Sequence, residues 1–213
     1  MTQQSFTERL ASRLQSVSIS LTLGQIQLLN AYWVLLARWN AKVNLTALPL
    51  NDYHSESIDR LIVEPLAGVR LMPPLPFAWA DLGSGGGSPA IPMKIAMPDA
   101  RLVMIESRTR KAAFLREVVR SLALDAVEVL SERFEDVAAS RPASADCITV
   151  RAVRPEGSLA KTASQMLKPT GRLLLFGNSR GNEELAGFKL VNIAPTGTSN
   201  SIIRVAVPRG TND

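Results

Sequence analysis

The 213-residue sequence has little of two residue types on which many active sites depend, because it contains one cysteine and one histidine. A single cysteine excludes an internal disulfide and a metal site built from several cysteines. That residue, Cys147, lies in the apolar run 147–150, so we expect a buried small hydrophobic side chain rather than a nucleophile. The sequence has no Cys-Pro or Asn-Pro-Pro-Tyr signature and no evident pair of nucleophile and base, and we predict no metal site.

Long apolar runs are also lacking. The sequence contains no run of about 18 apolar residues, the length that a membrane-spanning helix needs. Residues 1–5 lack the basic, apolar and small-residue pattern of a secretion signal. Hydrophobic residues make up 46% and charged residues 20%, which is typical of an ordinary globular protein. We therefore expect a cytoplasmic monomer without a membrane partner, long enough for one good core and an extension.

The net charge of +5 is unevenly placed along the chain. Residues 101–120 contain six basic and two acidic side chains, and residues 141–172 contain the same numbers. The segment between these two basic blocks is acidic. An anionic partner such as a nucleic acid is one explanation, and solvated helix faces are the alternative.

Residues 1–75 have the apolar periodicity of helices. Thr22 is a candidate N-cap for a long second helix, and a third helix is predicted to begin near Ser55 or Ser57. Three prolines between residues 73 and 76 then indicate a linker. We predict that residues 1–75 form a helical cap packed on a ligand-binding domain, residues 76–213.

The second part of the chain alternates between strand and helix patterns. The predicted strands are 77–82, 101–106, 126–130, 146–150, 172–176, 188–193 and 202–207, and helices are predicted over 89–97, 111–122, 133–139 and 156–167. The last two strands have no long helix between them, so they should pair as an antiparallel hairpin. The predicted fold is α/β, with a seven-stranded, mostly parallel, Rossmann-like sheet closed by that hairpin. Class I methyltransferases that use S-adenosylmethionine (SAM) usually have this arrangement.

The segment that follows the first predicted strand is rich in glycine. Residues 83–87 read Gly-Ser-Gly-Gly-Gly, and Pro89 suits the first turn of a helix. Glycine lets the backbone adopt positive φ angles and lie against a ligand. Because ligands bind at the carboxyl ends of strands in open α/β sheets, Gly83, Ser84, Gly85 and Gly87 are candidate cofactor-binding residues. A surface turn without a ligand is the alternative.

Asp81 makes the prediction of the cofactor more specific. A dinucleotide-binding loop reads G-x-G-x-x-G, but Ser88 occupies the third glycine position. A carboxylate two residues before the first glycine would repel a pyrophosphate, whereas it could accept hydrogen bonds from an ammonium group. Asp81 and Ser88 therefore favour SAM over NAD, and they disfavour a nucleotide-linked oxidoreductase.

Three further strand ends supply candidate residues. Glu106 ends the second strand, where an acid can accept both ribose hydroxyls of an adenosine. The backbone of Arg133 and Phe134, after the third strand, lies where it could bind the adenine, although Phe134 could equally belong to a helix core. Arg151 ends the fourth strand and should meet a carboxylate or a phosphate, because an unpaired buried arginine is costly. Arg154 follows it and could be solvated.

These residues resemble a known family, the ribosomal RNA small-subunit methyltransferase G family, also called GidB. The resemblance extends from Trp39 to Phe176, about two thirds of the chain. Its motifs are Trp39-Asn40, Asn44-Leu45-Thr46, Asp59, Pro65, residues 81–92, Glu106-Ser107, Lys111, Phe114-Leu115, Arg151-Ala152 and Gly171-Arg172-Leu173.

The resemblance implies a SAM-dependent enzyme that methylates N7 of a guanine in the 530 loop of 16S rRNA. It implies that Gly83, Gly85, Glu106, the Arg133–Phe134 backbone and Arg151 are cofactor-site positions, with Arg151 as the candidate catalytic residue. It also places Lys111 near RNA, together with the neighbouring Arg108, Arg110 and Arg154. Guanine N7 needs no proton removed before it attacks, which suits a sequence without an evident general base.

The chain departs from the family pattern at several positions. Glu56 replaces a usual histidine, Val150 replaces a Ser or Thr, and Gly177-Asn178 replaces Lys-Gly after Phe176. Loss of a lysine and gain of a glutamate weaken the attraction to phosphate. The alternative is a divergent relative that binds SAM or RNA without efficient methylation, or that acts on another substrate.

Overall fold

The structure is a computed structural model that describes residues 3–15, 19–152, 157–178, 185–198 and 201–209. The helices are α1 (Gln3–Gln15), α2 (Leu23–Val43), α3 (Ser55–Ile58), α4 (Glu64–Gly68), α5 (Ala90–Ala96), α6 (Thr109–Ser121), α7 (Phe134–Ser140) and α8 (Gly157–Met166). The strands are β1 (Ala78–Leu82), β2 (Arg101–Ile105), β3 (Val127–Leu130), β4 (Ala145–Arg151), β5 (Leu167–Asn178), β6 (Phe188–Pro195) and β7 (Ser201–Pro208). None of the helices in these ranges is long and apolar enough to cross a membrane.

Helix α2 begins and ends at residues that its sequence makes suitable for those positions. The Thr22 hydroxyl accepts a hydrogen bond from the Gln25 N–H at 3.2 Å, and the Gln25 side chain accepts one from the Thr22 N–H at 2.9 Å. This reciprocal capping box satisfies backbone donors that the first helical turn leaves unpaired. The helix ends at Asn44, which adopts a left-handed conformation with φ 52°. The prediction that Thr22 is the N-cap is confirmed.

The third helical segment is less regular than the sequence predicts. It begins at Ser55, as expected, but a π-helical turn (Asp59–Val63) separates α3 from α4. Short 3-10 turns precede and follow it at Asn51–Tyr53 and Val69–Leu71. A π-helical turn contains one residue more than an α-helical turn, and such turns are frequent at functional sites.

The seven strands form one sheet in the order β3-β2-β1-β4-β5-β7-β6. Strands β1 to β5 pair in parallel, while β7 pairs antiparallel with both β5 and β6. The predicted mostly parallel sheet with an antiparallel hairpin is therefore confirmed. The strand order reverses between β1 and β4, and ligands of open α/β sheets bind at the carboxyl ends of the strands at such a point.

Strand β5 is longer than predicted. We expected residues 168–171 to connect a helix over 156–167 to a strand over 172–176, but the pairing already begins at Leu167, which lies opposite Ala145. The next paired residues are Cys147 and Arg172, so the extra residues of β5 form an irregularity inside the ladder. Residues 168–171 thus continue the strand instead of interrupting it.

The core has two apolar clusters, one on each face of the sheet. The larger cluster joins cap residues such as Phe6 and Trp33 to Trp79 and Phe114 of the sheet and its helices. Cys147 is fully buried in it, and Trp33 is 2% exposed, as predicted for both. The cap therefore shares its core with the sheet, and the boundary between residues 75 and 76 stays a prediction.

Candidate active site

The glycine-rich segment 83–88, which we call the glycine loop, follows β1 and turns sharply before α5. The N–H groups of Gly83 and Ser84 both donate to the carbonyl of Ile105 in β2, at 2.9 and 3.1 Å. Gly87 has φ 86°, and a Cβ atom there would lie 2.8 Å from the Ile91 side chain. A side chain at Gly87 is therefore excluded both by the backbone conformation and by the start of α5.

Asp81 lies under this loop and is 1% exposed. The indole N–H of Trp79 donates to Thr149 Oγ1 at 2.8 Å, and the Thr149 hydroxyl donates to Asp81 Oδ1 at 2.5 Å. The other carboxylate oxygen, Oδ2, is buried and has no hydrogen-bond partner among the described residues. Burial raises the pKa of Asp81 to about 6, against the opposing effect of the Thr149 hydrogen bond.

Glu106 connects the end of β2 to the glycine loop. Its Oε2 accepts a hydrogen bond from the Gly85 N–H at 2.9 Å, and its Oε1 accepts one from the Arg108 N–H at 2.8 Å. Both carboxylate oxygens of Glu106 are therefore paired with backbone N–H groups and not with a neighbouring guanidinium. The carboxylate is thereby fixed beside the loop, and carboxylate oxygens have further lone pairs for a ligand.

Arg151 leaves β4 and reaches the helical cap. Its guanidinium donates to Glu64 Oε2 at 3.1 Å, to Ser88 Oγ at 3.3 Å and to the carbonyl of Arg60, and it lies over the Phe176 ring. The side chain is 8% exposed, and burial lowers its pKa to about 10 while Glu64 opposes that shift. Arg151 meets a carboxylate, as predicted, yet its Nε remains buried without a partner among the described residues.

The cap holds the glycine loop from the opposite side. The hydroxyl of Tyr32, a fully buried residue of α2, donates to the Gly86 carbonyl at 2.7 Å, and Ser88 Oγ donates to the Leu61 carbonyl at 3.0 Å. A Cβ atom on Gly86 would lie 3.3 Å from the carbonyl oxygen of Leu45. Contacts with the cap therefore restrict the loop as closely as contacts with the sheet do.

Asn40 shapes the segment that follows α2. Its side-chain oxygen accepts hydrogen bonds from the N–H groups of Leu45 and Thr46, at 2.7 and 2.9 Å, and its side-chain nitrogen donates to the Thr46 carbonyl at 3.0 Å. Both Leu45 and Thr46 line the candidate site. Asn40 thus fixes one wall of the site through backbone hydrogen bonds.

A cavity of about 450 Å³ opens between the cap and the carboxyl ends of the strands. Its lining includes seven of the predicted site residues: Gly83, Ser84, Gly85, Glu106, Arg108, Lys111 and Arg151. The cap contributes Leu36, Leu45, Thr46, Leu48, Arg60 and Leu61. Small-molecule sites usually have volumes of about 300–1,000 Å³, so the cavity has a suitable size for a cofactor.

Other predicted residues lie outside this lining. Asp81 and Gly87 are buried and do not line the cavity, and Arg110 is exposed on the first turn of α6. Arg133 caps α7 in an exposed position beside Glu135, and Phe134 packs against the second apolar cluster, as its alternative interpretation required. Arg154 lies outside the described residues.

The residues present fit SAM by their chemistry. An ammonium group would satisfy the buried, unpartnered Asp81 Oδ2, and a ribose would find an acceptor in Glu106. The unpartnered Nε–H of Arg151 is a donor that suits a carboxylate. Within the described residues, no group of three or more His, Cys, Asp or Glu residues could hold a metal ion.

Sequence reasoning missed several residues of the site, chiefly Tyr32, Arg60 and Glu64. The sequence identifies Tyr32 only as a flank of the apolar stripe of α2. Glu64 did carry a signal, because it follows the apolar run 61–63 and precedes Pro65 and Leu66. A carboxylate in such a run must be paired when it is buried, and Glu64 is 3% exposed.

Comparison with known proteins decides the family. The family model described as "GidB: rRNA small subunit methyltransferase G" matches residues 25–206. The chain belongs to this family. The predicted membership of the methyltransferase G family is thereby confirmed, and the match includes both the glycine loop and most of the cap.

Curated members of the methyltransferase G family are similar over most of their length. The Sorangium cellulosum protein is 34% identical over 187 residues, which cover 84% of this chain and 75% of that protein. The Chromobacterium violaceum protein is 32% identical over 208 residues, covering 95% and 91%. The Halorhodospira halophila protein is 35% identical over 177 residues, covering 83% and 81%. Each is described as ribosomal RNA small subunit methyltransferase G.

Solved structures support the fold of this methyltransferase G family member. A SAM-dependent methyltransferase from Aquifex aeolicus superposes with a TM-score of 0.58 at 15% identity, over 72% of this chain and 93% of that one. MtNAS, in complex with MTA and tNA, superposes with a TM-score of 0.61 at 15% identity, over 86% and 74%. The predicted class of fold, that of SAM-dependent methyltransferases, is therefore confirmed.

Proposed function

We propose that this protein transfers a methyl group from SAM to N7 of a guanine in the 530 loop of 16S rRNA. SAM is the cofactor that the family and the fold support, and the family name supports rRNA as the substrate. The choice of N7 rests on the cavity lining. Among the described residues, that lining has four basic side chains and one carboxylate, but no histidine, cysteine or tyrosine.

The single carboxylate of the lining is unsuited to the role of general base. Glu106 already accepts two backbone hydrogen bonds, one on each carboxylate oxygen, and it is the proposed acceptor for the ribose hydroxyls. An acceptor atom that first had to lose a proton would therefore find no suitable base in the described cavity. Guanine N7 carries a lone pair and no proton, so it meets the requirement that the lining imposes.

The transfer needs no proton movement. SAM supplies a methyl group on a positively charged sulfur when it is bound. The N7 lone pair forms the new N–C bond while the S–C bond breaks, the bonding pair stays on sulfur, and the positive charge passes to the guanine ring. Alignment of reacting groups can supply roughly 7–11 kcal/mol of the barrier, so positioning by the protein can account for much of the catalysis.

We assign binding and positioning roles to the predicted residues. Asp81 would accept a hydrogen bond from the ammonium group of SAM, and Glu106 would accept hydrogen bonds from its ribose hydroxyls. The glycine loop would lie against the cofactor. Arg151 would donate from Nε to the carboxylate and keep cap and sheet at a fixed separation. The backbone of Arg133 and Phe134 stays the predicted adenine contact.

We place the RNA at the mouth of the cavity. Arg108 and Lys111 line it, and Arg110 is exposed on the same helical turn. Arg154 stays a predicted RNA contact. A small ribosomal subunit or an assembly intermediate is the proposed substrate particle, with the enzyme acting as a cytoplasmic monomer.

A single-turnover assay tests this function. Purified protein is mixed with labelled SAM and small subunits that lack N7-methylguanosine, and the rRNA fragment that contains the 530 loop is then isolated and digested to nucleosides. We expect label in N7-methylguanosine from the 530 loop. Label in another nucleoside would refute the choice of N7 and support the alternative of another substrate.

The variant Asp81→Asn is the matched control for this assay. The change keeps the shape of the side chain but removes the charge that would bind the ammonium group, so we expect transfer to be lost at low SAM and partly regained at high SAM. If wild-type protein binds SAM and RNA but transfers no label, the chain is a binding-only relative and the proposed activity is wrong.

A further inference from the structure

Helices α2 and α6 pack side by side and form an unusually basic outer surface. We call it the α2–α6 face and define it by Arg38 and Lys42 of α2 with Arg108, Arg110 and Lys111 at the start of α6. Helix α2 contains no acidic residue at all. Helix α6 contains one, Glu117, and Arg120 of the same helix pairs with it at 2.8 Å.

The two helices are joined at this face by aromatic contact. The rings of Trp39 in α2 and Phe114 in α6 lie 5.8 Å apart, centroid to centroid. Hydrogen bonds from Arg120 and Ser121 lower the pKa of Glu117, and the positive charge of Arg38 adds to that effect. Arg38 therefore lies close enough to α6 for its charge to be felt there, so the basic groups of the two helices share one surface.

The α2–α6 face leads to the mouth of the cavity. Arg108 and Lys111 belong to the face and also line the cavity. Lys42 lies in the last turn of α2, three residues before Leu45, which forms the wall held by Asn40. The basic residues of α2, in the cap, and those at the start of α6 thus lie on two sides of the cavity mouth.

These charges are not neutralised within the protein. Arg38, Lys42, Arg108 and Arg110 are exposed, and Lys111 is half-buried. Over the part of the chain that the structure describes, no carboxylate forms an ion pair with any of the five. The second basic block behaves differently, because Arg141 pairs with Glu128 at 2.7 Å and Lys168 with Asp146 at 2.8 Å.

We propose that the α2–α6 face binds the phosphates of the RNA segment that flanks the methylated base, so that Arg38 and Lys42 of the cap are RNA-binding residues. The proposal rests on the proposed function for the identity of the RNA. The cations without carboxylate partners would each release condensed counterions on meeting a phosphate. Their position at the cavity mouth would hold the strand where one base can enter.

The test is the salt dependence of RNA binding by the double variant Arg38→Gln/Lys42→Gln. The probe is a transcript of the 530 loop, titrated in the presence of SAM at several salt concentrations. Each cation that no longer neutralises a phosphate of a single strand reduces the slope of log K against log salt by about 0.7, so we expect the slope to fall by roughly 1.4. The affinity should fall on the order of tenfold at low salt, with SAM binding unchanged.

The matched control is Arg101→Gln/Arg141→Gln. It removes the same net charge, but Arg101 begins β2 at the amino edge of the sheet, away from the cavity. We expect its slope to equal that of the wild type. Equal reductions in both double variants, or no reduction in Arg38→Gln/Lys42→Gln, would overturn the proposed surface.

The outcome separates this surface from the proposed function. If the wild type methylates the RNA but the salt slope is unchanged in Arg38→Gln/Lys42→Gln, the proposed function is supported and RNA binding by the α2–α6 face is refuted. If the slope is reduced in that variant but the wild type does not methylate the RNA, binding by the α2–α6 face is supported and the proposed function is refuted. Thermal unfolding of both double variants shows that any loss of binding does not come from loss of the fold.

Discussion

The glycine loop is held from two sides that differ in the groups they contribute. On the sheet side, carboxylates lie near the loop: Asp81 beneath it and Glu106 bonded to Gly85. On the cap side, the contacts are directed at backbone atoms, from Tyr32 to the Gly86 carbonyl and through Ser88 to the Leu61 carbonyl. The sheet side thus offers the charges that recognise a cofactor, while the cap side fixes the shape in which they are presented.

Arg151 joins the two sides, and its removal should have the largest effect. Arg151→Met leaves the 3%-exposed Glu64 with Arg60, 2.9 Å away, as its remaining cation, so we expect a loss near the lower end of the about 3–5 kcal/mol that breaking a buried ion pair costs. Urea denaturation measures the change in the free energy of unfolding. The double variant Arg151→Met/Glu64→Gln should regain most of that stability without regaining transfer, and a double variant as active as the wild type would remove Arg151 from the site.

The charge on Asp81 should make the stability of the free protein depend on pH. Burial raises its pKa from 3.8 to about 6, so the folded state holds the proton more tightly than the unfolded chain. This contribution to stability is fully present below about pH 4 and is lost as the pH rises through 6. When the pH is lowered from 7.5 to 5, the free energy of unfolding of the wild type should rise by about 1.4 kcal/mol relative to that of Asp81→Asn. This is the free energy that corresponds to one pKa unit.

Cofactor affinity should change in the opposite direction to stability, because an ammonium group needs the ionised carboxylate. SAM binding by the wild type should weaken below pH 6. Titration calorimetry at several pH values checks this, and a pH-independent affinity would place the ammonium group elsewhere. Asp81→Asn should lack this pH dependence.

Loss of the Tyr32 hydroxyl should have the smallest effect of the three. Tyr32→Phe removes one hydrogen bond to the carbonyl of the half-buried Gly86, and a single intramolecular hydrogen bond of this kind contributes about 0.5–1.5 kcal/mol. We expect weaker SAM binding with little change in the rate at saturating SAM. Tyr53→Phe is the control, since Tyr53 is also a buried tyrosine of the cap but packs against Phe6 and Trp33. Equal effects of both substitutions would mean that Tyr32 acts only through stability.

The sheet and the glycine loop could be predicted from the sequence because their signals are local. Alternating or continuous runs of apolar residues predicted the strands, and the glycine-rich segment after residue 82 predicted the turn. The predicted start of the fifth strand, residue 172, lies five residues after the observed start at Leu167, because Pro169 and Gly171 are turn-forming residues. In the structure they lie in an irregular part of β5, where a proline can be accommodated.

The cap side of the site could not be predicted in the same way. Tyr32 and Gly86 are 54 residues apart in the chain, and the helical periodicity of α2 shows only that Tyr32 faces a core. Arg151 was predicted to need an anionic partner because a buried guanidinium does, but the sequence did not show that Glu64, 87 residues earlier, is that partner. The residue type of Arg151 predicted that its partner is anionic, whereas the structure was needed to identify that partner as Glu64.

The π-helical turn Asp59–Val63 sets the spacing between two carboxylates that form ion pairs, Asp59 and Glu64, and this spacing is sensitive to a change in the number of residues. Asp59, its first residue, pairs with Arg13 of α1, and Glu64 directly after the turn pairs with Arg151. Deletion of one residue from the turn would rotate everything that follows by about 100° about the helix axis. Substitutions in this segment should therefore be tolerated far more readily than a single-residue deletion, which would turn Glu64 away from the arginine that joins the cap to the sheet.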